Sequence, residues 1–510
     1  MFFVDHFRAA DTPYPPAGDA GGRYSFRNFL ILLLIWMAFW TLLPSLCIGN
    51  VPIDVAENIS WGQRFDLGYD KNPYFGAWLT TVVFEVLPCD WVFYMMSQLA
   101  VLIGLSSAYL LTFEITRSRF AAFVAGVSAM MIPFFSHSAN EFNDDVMSIA
   151  LWGLTALWTC RAIRGGRIGA YLAAGLFAGL ALMTKYLAGA LLASLGILFF
   201  VTREGRAAWK KPGLYLGIAV FLALTIPNAV WLFKHDFIAI HYAIGRAKLN
   251  NEVRLSAHLF SPLEFMYSFF IRLIPPAVAI MFFRRSRRRA DDGFGRAFLW
   301  CAGAGPFVLS LAFAAITGGD VMDPWLTPYY VFTTPLIVME YRPVPEPKSL
   351  KRFAALFVLT TMLTIVAFGY EYLYKRPYRK CRGHNVYPGR RIADELTGRW
   401  NERFRRPLPY VIGDRTCCCF MRYHSPDRPE VFFDHDTKVS PPIDPGDVAK
   451  RGGVVMWRDG GAPGYLKQYS GRLSETIEVT CELAMPRWLR AVAGPTKKVT
   501  VKAVFIAPEQ

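Results

Sequence analysis

Apolar runs long enough to cross a bilayer recur along this chain, and they limit its fold more than any other feature. A helix needs about 20 consecutive apolar residues to span the hydrocarbon core. The first run covers 29–48, and others follow at 91–113, 120–136, 146–160, 168–184, 187–202, 213–233, 263–283, 297–317, 326–341 and 353–372. The expectation is a polytopic α-helical membrane protein with eleven transmembrane helices. Only Lys185 separates the fifth and sixth runs; without it, 168–202 would be too long for one span. Residues 1–28 are polar and hold Pro13, Pro15 and Pro16, and the run after them exceeds the apolar stretch of a cleavable signal peptide. They are read as a cytoplasmic segment without such a peptide.

Charge then assigns sides. Arg161, Arg164 and Arg167 form one basic loop; Arg203, Arg206, Lys210 and Lys211 a second; Arg284, Arg285, Arg287, Arg288 and Arg289 a third; Lys348, Lys351 and Arg352 a fourth. With eleven spans all four fall on one side, which the positive-inside rule makes cytoplasmic. Removing the Lys185 break would scatter them over both sides. The net charge of +16 is explained by this asymmetry, and no basic stripe on a soluble face points to nucleic acid. The opposite loops, 49–90, 137–145, 234–262 and 318–325, are then extracytoplasmic and close the module 29–372.

Residues 373–510 form an outer tail large enough for a small α/β domain. IADELTGRWNERF (392–404) reads as a helix, and 408–414, 430–434, 452–457, 474–484 and 498–507 read as strands. No catalytic motif stands out in it. Cys417, Cys418 and Cys419 are consecutive, a spacing that does not suit a tetrahedral metal site. Buried free thiols are the preferred reading, with a disulfide from this cluster to Cys481 as the alternative; Cys381 lies in the same tail.

The first outer loop, PIDVAENISWGQRFDLGYDKNPYFGAW (52–78), interleaves Asp54, Glu57, Arg64, Asp66, Asp70 and Lys71 with Trp61, Tyr69, Tyr74 and Trp78. Asp54 and Glu57 share a helix face, so they are either a capping box after Pro52 or a pair of working carboxylates. The second outer loop holds Asn140, Glu141, Asn143, Asp144 and Asp145, which exceeds what capping the next helix requires. Lys71, with Pro73 ending any local helix, is a surface lysine or a point charge facing a phosphate, and Arg64 competes for that role. Lys185 beside Tyr186 is a weaker candidate. Arg272 falls near the middle of the eighth run, beside Pro275 and Pro276, where a charge is a functional-site hypothesis. His235, His241, Arg246, Lys248, Arg254 and His258 make the third outer loop a binder of an anionic lipid or sugar, or plain solvated surface.

DVAENISWGQ, GYDKNPYFGAWL, NEFNDDV, GLALMTKY (179–186), IPNAVWLFKHDF (226–237) and GGDVMDPWLTP (318–328) carry a resemblance that covers about 50–340. The chain resembles the GT-C-type glycosyltransferases that use polyprenyl-phosphate sugars. Within them it is similar to the bacterial branch of the dolichyl-phosphate-mannose protein mannosyltransferase superfamily, which includes aminoarabinose transferases of lipid A and galacturonic acid transferases of the core. The resemblance implies a GT-C-like bundle with a catalytic Asp in the first outer loop, here Asp54, and a second acidic position at Asp144 or Asp145, with Glu57 beside them. It implies a donor phosphate met by Lys71, Arg64, Arg272 or Lys185, and substrate contacts from Tyr69, Trp61, Tyr74 and His235. The family's usual His or Lys before a double proline is Lys71-Asn72-Pro73 here, one proline replaced.

The implied partners are a polyprenyl-phosphate-linked sugar donor, a lipid or glycolipid acceptor and the membrane. The implied place is the inner membrane, with the site facing the periplasm. The chemistry requires no cofactor, and an acidic pair leaves a divalent ion open. The rival reading is a transporter or flippase for a lipid-linked glycan, for which Arg272 is the best support.

Overall fold

The computed structural model describes residues 22–249, 255–286, 292–380, 384–458, 460–493 and 496–509. Most of the predicted segment 1–28, together with Arg254, Arg287, Arg288, Arg289 and Cys381, lies outside the described residues. Helix α1 (Phe26–Cys47) starts at Ser25, whose hydroxyl accepts from the Asn28 amide. Short α2 (Ile53–Trp61) and α3 (Tyr74–Val86) follow, then α4 (Asp90–Thr116), α5 (Arg119–Met130), α6 (Asp144–Gly165), α7 (Ile168–Thr184), α8 (Ala188–Val201), α9 (Arg203–Ala208) and α10 (Pro212–Lys234). The chain continues through α11 (Ile238–Arg246), α12 (Ala257–Ile271), α13 (Ile274–Met281), α14 (Gly293–Gly303) and α15 (Gly305–Thr317). A 3₁₀ stretch over Asp323–Val331 leads to α16 (Thr333–Tyr341) and α17 (Pro347–Phe368), which runs on in π-helical turns over Gly369–Lys380. Two-residue strands β1 (Arg284–Arg285) and β2 (Pro343–Val344) pair antiparallel at the loop ends.

The bundle is built outward from α6. It packs on α4 and α7, and α7 packs on α10. In α6, 83% of the most apolar 18-residue window is buried, against 22% in α10, so α6 is the interior helix and α10 turns most of its apolar side chains outward. Helices α7 and α10 approach closely because glycines face each other: a Cβ on Gly175 would lie 2.0 Å from the Gly217 carbonyl oxygen.

The spans differ in detail from the sequence reading. Among the described residues, five helices are long and apolar enough to cross a membrane: α1, α4, α6, α10 and the Pro347–Tyr378 helix. The pairs α12–α13 and α14–α15 pass together but bend by 47° and 44°. Helices α3, α5, α7 and α8 are apolar but shorter. The run 120–136 stops being α-helical at Met130, because Ile132 is extended ahead of Pro133. The run 326–341 is a 3₁₀ stretch followed by the nine residues of α16, and Pro328 lies inside the 3₁₀ part. Loop 234–262 contains α11 and the start of α12. The Lys185 break is present: α7 ends at Thr184 with Lys185 extended, and α8 begins after Leu187.

The C-terminal region adds α18 (Gly389–Phe404), α19 (Arg415–His424), α20 (Pro445–Arg451) and α21 (Arg487–Ala493) around a five-stranded sheet. Its strands are β3 (Tyr410–Gly413), β4 (Glu430–Phe433), β5 (Gly453–Trp457), β6 (Ile477–Glu482) and β7 (Lys498–Ile506), in the order β4-β3-β5-β7-β6. Strand β3 runs parallel to β4 and β5, with Val411 opposite Val431 and Val454, while β7 is antiparallel to β5 and β6. Every strand read from the sequence is present; α19, α20 and α21 were not expected. Cys417, Cys418 and Cys419 are buried free thiols on α19, and Cys481 is also free.

The sheet module sits on the outer loops. Helix α19 packs on α2. The Tyr423 hydroxyl donates to Asp90 (2.7 Å), and His424 Nε2 meets Asn50 Oδ1 (2.8 Å).

Candidate active site

The first outer loop folds as helix, turn, helix. Pro52 caps α2 with no side-chain bond, and Asp54 lies inside the first turn. The capping-box reading of Asp54 and Glu57 is therefore overturned: a proline occupies the cap, and the Glu57 carboxylate is used elsewhere. Between the helices, Gly68 and Pro73 form an isolated bridge and the Tyr69 amide donates to the Asn72 carbonyl (3.1 Å). This tight turn carries Asp70 and Lys71. Gly68 is required there, since a Cβ would lie 2.5 Å from the Trp231 ring. Pro73 starts α3 rather than ending a helix.

The second outer loop meets the first through two asparagines. Asn143 is the N-cap of α6: its Oδ1 accepts from the Val146 amide (3.0 Å) and its Nδ2 donates to Asp54 Oδ2 (3.2 Å). Asn72 Nδ2 donates to Asp144 Oδ2 (2.6 Å). The other Asp144 oxygen is buried without a partner. It points at α3, where a Cβ on Gly76 would come within 2.0 Å of it. Asp145 instead holds Lys185 Nζ at 2.6 Å, and that ammonium lies 5.5 Å from the Trp325 ring centre. Glu141 turns to Arg376 (2.8 Å) and the Tyr372 hydroxyl (3.1 Å).

A second cluster adjoins Asp54 through Glu57. Glu57 Oε1 accepts from Lys71 Nζ (2.6 Å) and from Arg415 Nη1 (2.7 Å), and Arg415 Nη2 donates to Asp70 Oδ2 (2.7 Å). Both carboxylates are buried. Lys71 also lies over Trp61 (5.7 Å) and over Tyr242 of α11 (5.5 Å), while Tyr69 stacks on Trp61.

Environment separates the charge states. Burial pushes the Asp54 carboxyl up from 3.8 to about 7, with Glu57 and Glu141 adding repulsion and Asn143 and Lys71 opposing it. Burial pushes Glu57 the same way, but Lys71 and Arg415 outweigh it and hold the carboxyl below its ordinary value. For Lys71, burial opposes the charge and Glu57 more than restores it. The Asp54 carboxyl is thus brought close to neutrality, while Glu57 stays ionised against two cations.

Other predicted residues lie apart from this constellation. Arg64 forms an exposed pair with Glu430 (2.7 Å). Arg272 does not lie inside a continuous helix: it caps α12 at the bend before α13, bonds the Ser268 carbonyl and pairs with Asp323 (2.5 Å). Leu273 precedes Ile274-Pro275-Pro276, and the prolines open a new helix rather than continue the old one. The Tyr74 hydroxyl is tied to the Leu224 carbonyl of α10 (2.9 Å), and His235 stacks on Trp231 while bonding its carbonyl. Arg415 was missed. Its signal in the sequence is slight: a Gly-Asp-Arg step at the end of a predicted strand. Among the described residues, no group of three or more His, Cys, Asp or Glu side chains is arranged to hold a metal ion.

Residues 71–231 match the model of the dolichyl-phosphate-mannose-protein mannosyltransferase family. The chain superposes on ArnT from Cupriavidus metallidurans bound to undecaprenyl phosphate with a TM-score of 0.58, covering 95% of this chain and 99% of that one at 14% identity. The chain has a GT-C fold. The apo form of the same ArnT gives a TM-score of 0.56 at 13% identity, over 97% of this chain and 100% of that one. In sequence, the chain is 25% identical over 319 residues to the lipid A galacturonosyltransferase RgtD of Rhizobium johnstonii. That match covers 61% of this chain and 65% of RgtD, short of two thirds of the relative's length. The resemblance read from the outer-loop motifs is thereby borne out, as is a GT-C-like helical membrane fold with a small C-terminal sheet.

Proposed function

We propose that this protein is an inverting glycosyltransferase. It moves a sugar from a polyprenyl-phosphate carrier to a hydroxyl of lipid A or lipopolysaccharide core, on the periplasmic side of the inner membrane. Asp54 is the general base. Its hydroxyl-bearing acceptor loses a proton to Asp54 as the oxygen attacks the anomeric carbon; the bond from that carbon to the phosphate oxygen breaks, and the electron pair leaves with the phosphate. One displacement inverts the anomeric centre. Lys71 offers the phosphate a point charge as negative charge develops, while Asp144 and Asn143 hold the acceptor side of Asp54.

The observation that carries this reading is the Asp54 environment. A partly buried carboxyl poised at about 7 is hydrogen-bonded across to a second acidic loop, and its helix neighbour Glu57 anchors Lys71. The similarity to RgtD supports a lipid A-type acceptor, and the ArnT likeness supports the fold that such chemistry uses. Arg272, the main support for a transporter, is paired with Asp323 at a helix bend, so its charge is not left unpartnered.

The test is a pH profile. A base must be ionised, so transfer at subsaturating acceptor rises with pH and levels off above about 7. A profile flat between pH 5 and about 8 would remove Asp54 from the role.

A second expectation concerns Gly76. Gly76→Ala places a methyl group where the free Asp144 oxygen lies, 2.0 Å from the new carbon. The carboxylate must move, and transfer falls by about 100-fold, the scale of an ångström-size misplacement. The chain should still purify as a folded species, checked by circular dichroism and gel filtration. Full activity would show that Asp144 takes no part in positioning.

A further inference from the structure

Arg415 belongs to the C-terminal sheet module, yet its guanidinium is a structural member of the cluster around Lys71. Three features mark its position as more than a surface tie. First, Arg415 follows β3 directly, with Asp414 capping α19 through the Cys417 amide (3.1 Å). Strand β3 lies between parallel β4 and β5, so the chain leaves it to one side and later returns on the other. The carboxyl end of the strand at such a switch point is where open α/β sheets place their ligand-handling side chains. Second, the residues after the neighbouring strands converge there as well: Arg415 lies 4.6 Å from the Phe433 ring at the end of β4, and Arg458 after β5 pairs with Asp414 (3.2 Å). Third, Arg415 reaches out of the module to α2 and the 69–72 turn, bonding Glu57 and Asp70.

The charges of this cluster balance only with Arg415 present. Lys71 and Arg415 face Glu57 and Asp70, two cations against two carboxylates. Lys71 and Arg415 even share one oxygen, Glu57 Oε1, at 2.6 and 2.7 Å. Without Arg415, one ammonium would stand against two buried carboxylates, and the cluster would carry a net negative charge. An incoming phosphate would then meet repulsion at the lysine meant to receive it. In this partly desolvated setting such repulsion is weakly screened.

We propose that Arg415 is a positioning residue for the donor. The C-terminal module, through this one guanidinium, neutralises Glu57 and Asp70 so that Lys71 can accept a polyprenyl phosphate. The donor site is therefore completed by the C-terminal module rather than formed by the membrane bundle alone. This rests on the donor reading above and goes beyond it.

The experiment measures binding of undecaprenyl phosphate to the full-length chain in nanodiscs, with no acceptor present. Arg415→Gln is expected to weaken binding by about tenfold or more. The double variant Arg415→Gln/Asp70→Asn removes one carboxylate with the cation and restores the charge balance, so its affinity should return to within about threefold of wild type. A purely structural tie predicts the opposite order, since the double variant loses both ends of the contact. Thermal unfolding of each variant reports folding separately. Arg415→Gln binding as tightly as wild type, or a double variant as weak as the single one, overturns the inference while leaving the donor reading intact. If wild type itself binds no undecaprenyl phosphate, the donor reading fails and takes this inference with it.

Discussion

Replacing Asp54 with asparagine is expected to abolish sugar transfer while the chain remains folded in the membrane. The side chain keeps its shape, and its amide can still pair with Asn143, which sits 3.2 Å away as the cap of α6. What is lost is the proton acceptor, a change of about 10² to 10⁴ in rate for a general base. Stability should move the other way. The Asp54 carboxyl titrates from 3.8 up to about 7 on folding, so the folded state holds a proton that the unfolded chain releases. Wild-type stability therefore falls as pH rises through that window, and the asparagine variant lacks this slope. Thermal unfolding at pH 5 and 8 checks the slope, and an assay of sugar transfer checks the rate. Wild-type turnover in Asp54→Asn would end the base assignment.

Replacing Lys71 with alanine is expected to damage handling of the donor more than of the acceptor. The ammonium is held by Glu57 at 2.6 Å and faces the rings of Trp61 and Tyr242, with enough exposure to meet a ligand. Loss of one positive group facing a developing phosphate anion costs about 10² to 10³ in rate. The donor KM should rise, with the acceptor KM little changed. Arg415 stays on Glu57 in this variant, so the carboxylate is not left unpaired. Equal effects on the two substrates would count against the phosphate role.

Much of this was legible in the sequence because it is written locally. A lone Lys185 within a long apolar stretch forecast the α7–α8 break, and the i, i+3 spacing of Asp54 and Glu57 forecast one helix. Alternating sides put the first two outer loops on one face, and the bonds of Asn143 and Asn72 join them there. The failures have physical causes. Pro52 took the cap that Asp54 was expected to fill, because a proline's missing amide costs nothing at a helix start. Arg272 looked like a charge in hydrocarbon because apolar composition runs unbroken across the α12–α13 bend, while the backbone does not. Its partner Asp323 lies in another segment. Arg415 was invisible for the same reason at greater range: its partners are Glu57 and Asp70, and no periodicity links residues so far apart.

Mass spectrometry of lipid A and core from cells carrying or lacking this chain tests the central claim most directly, with complementation by wild type and by Asp54→Asn. The account predicts a lipid A or core species heavier by one sugar residue with the wild-type chain, absent from the deletion strain and not restored by Asp54→Asn. Identical lipid A and core spectra in all four strains would contradict it.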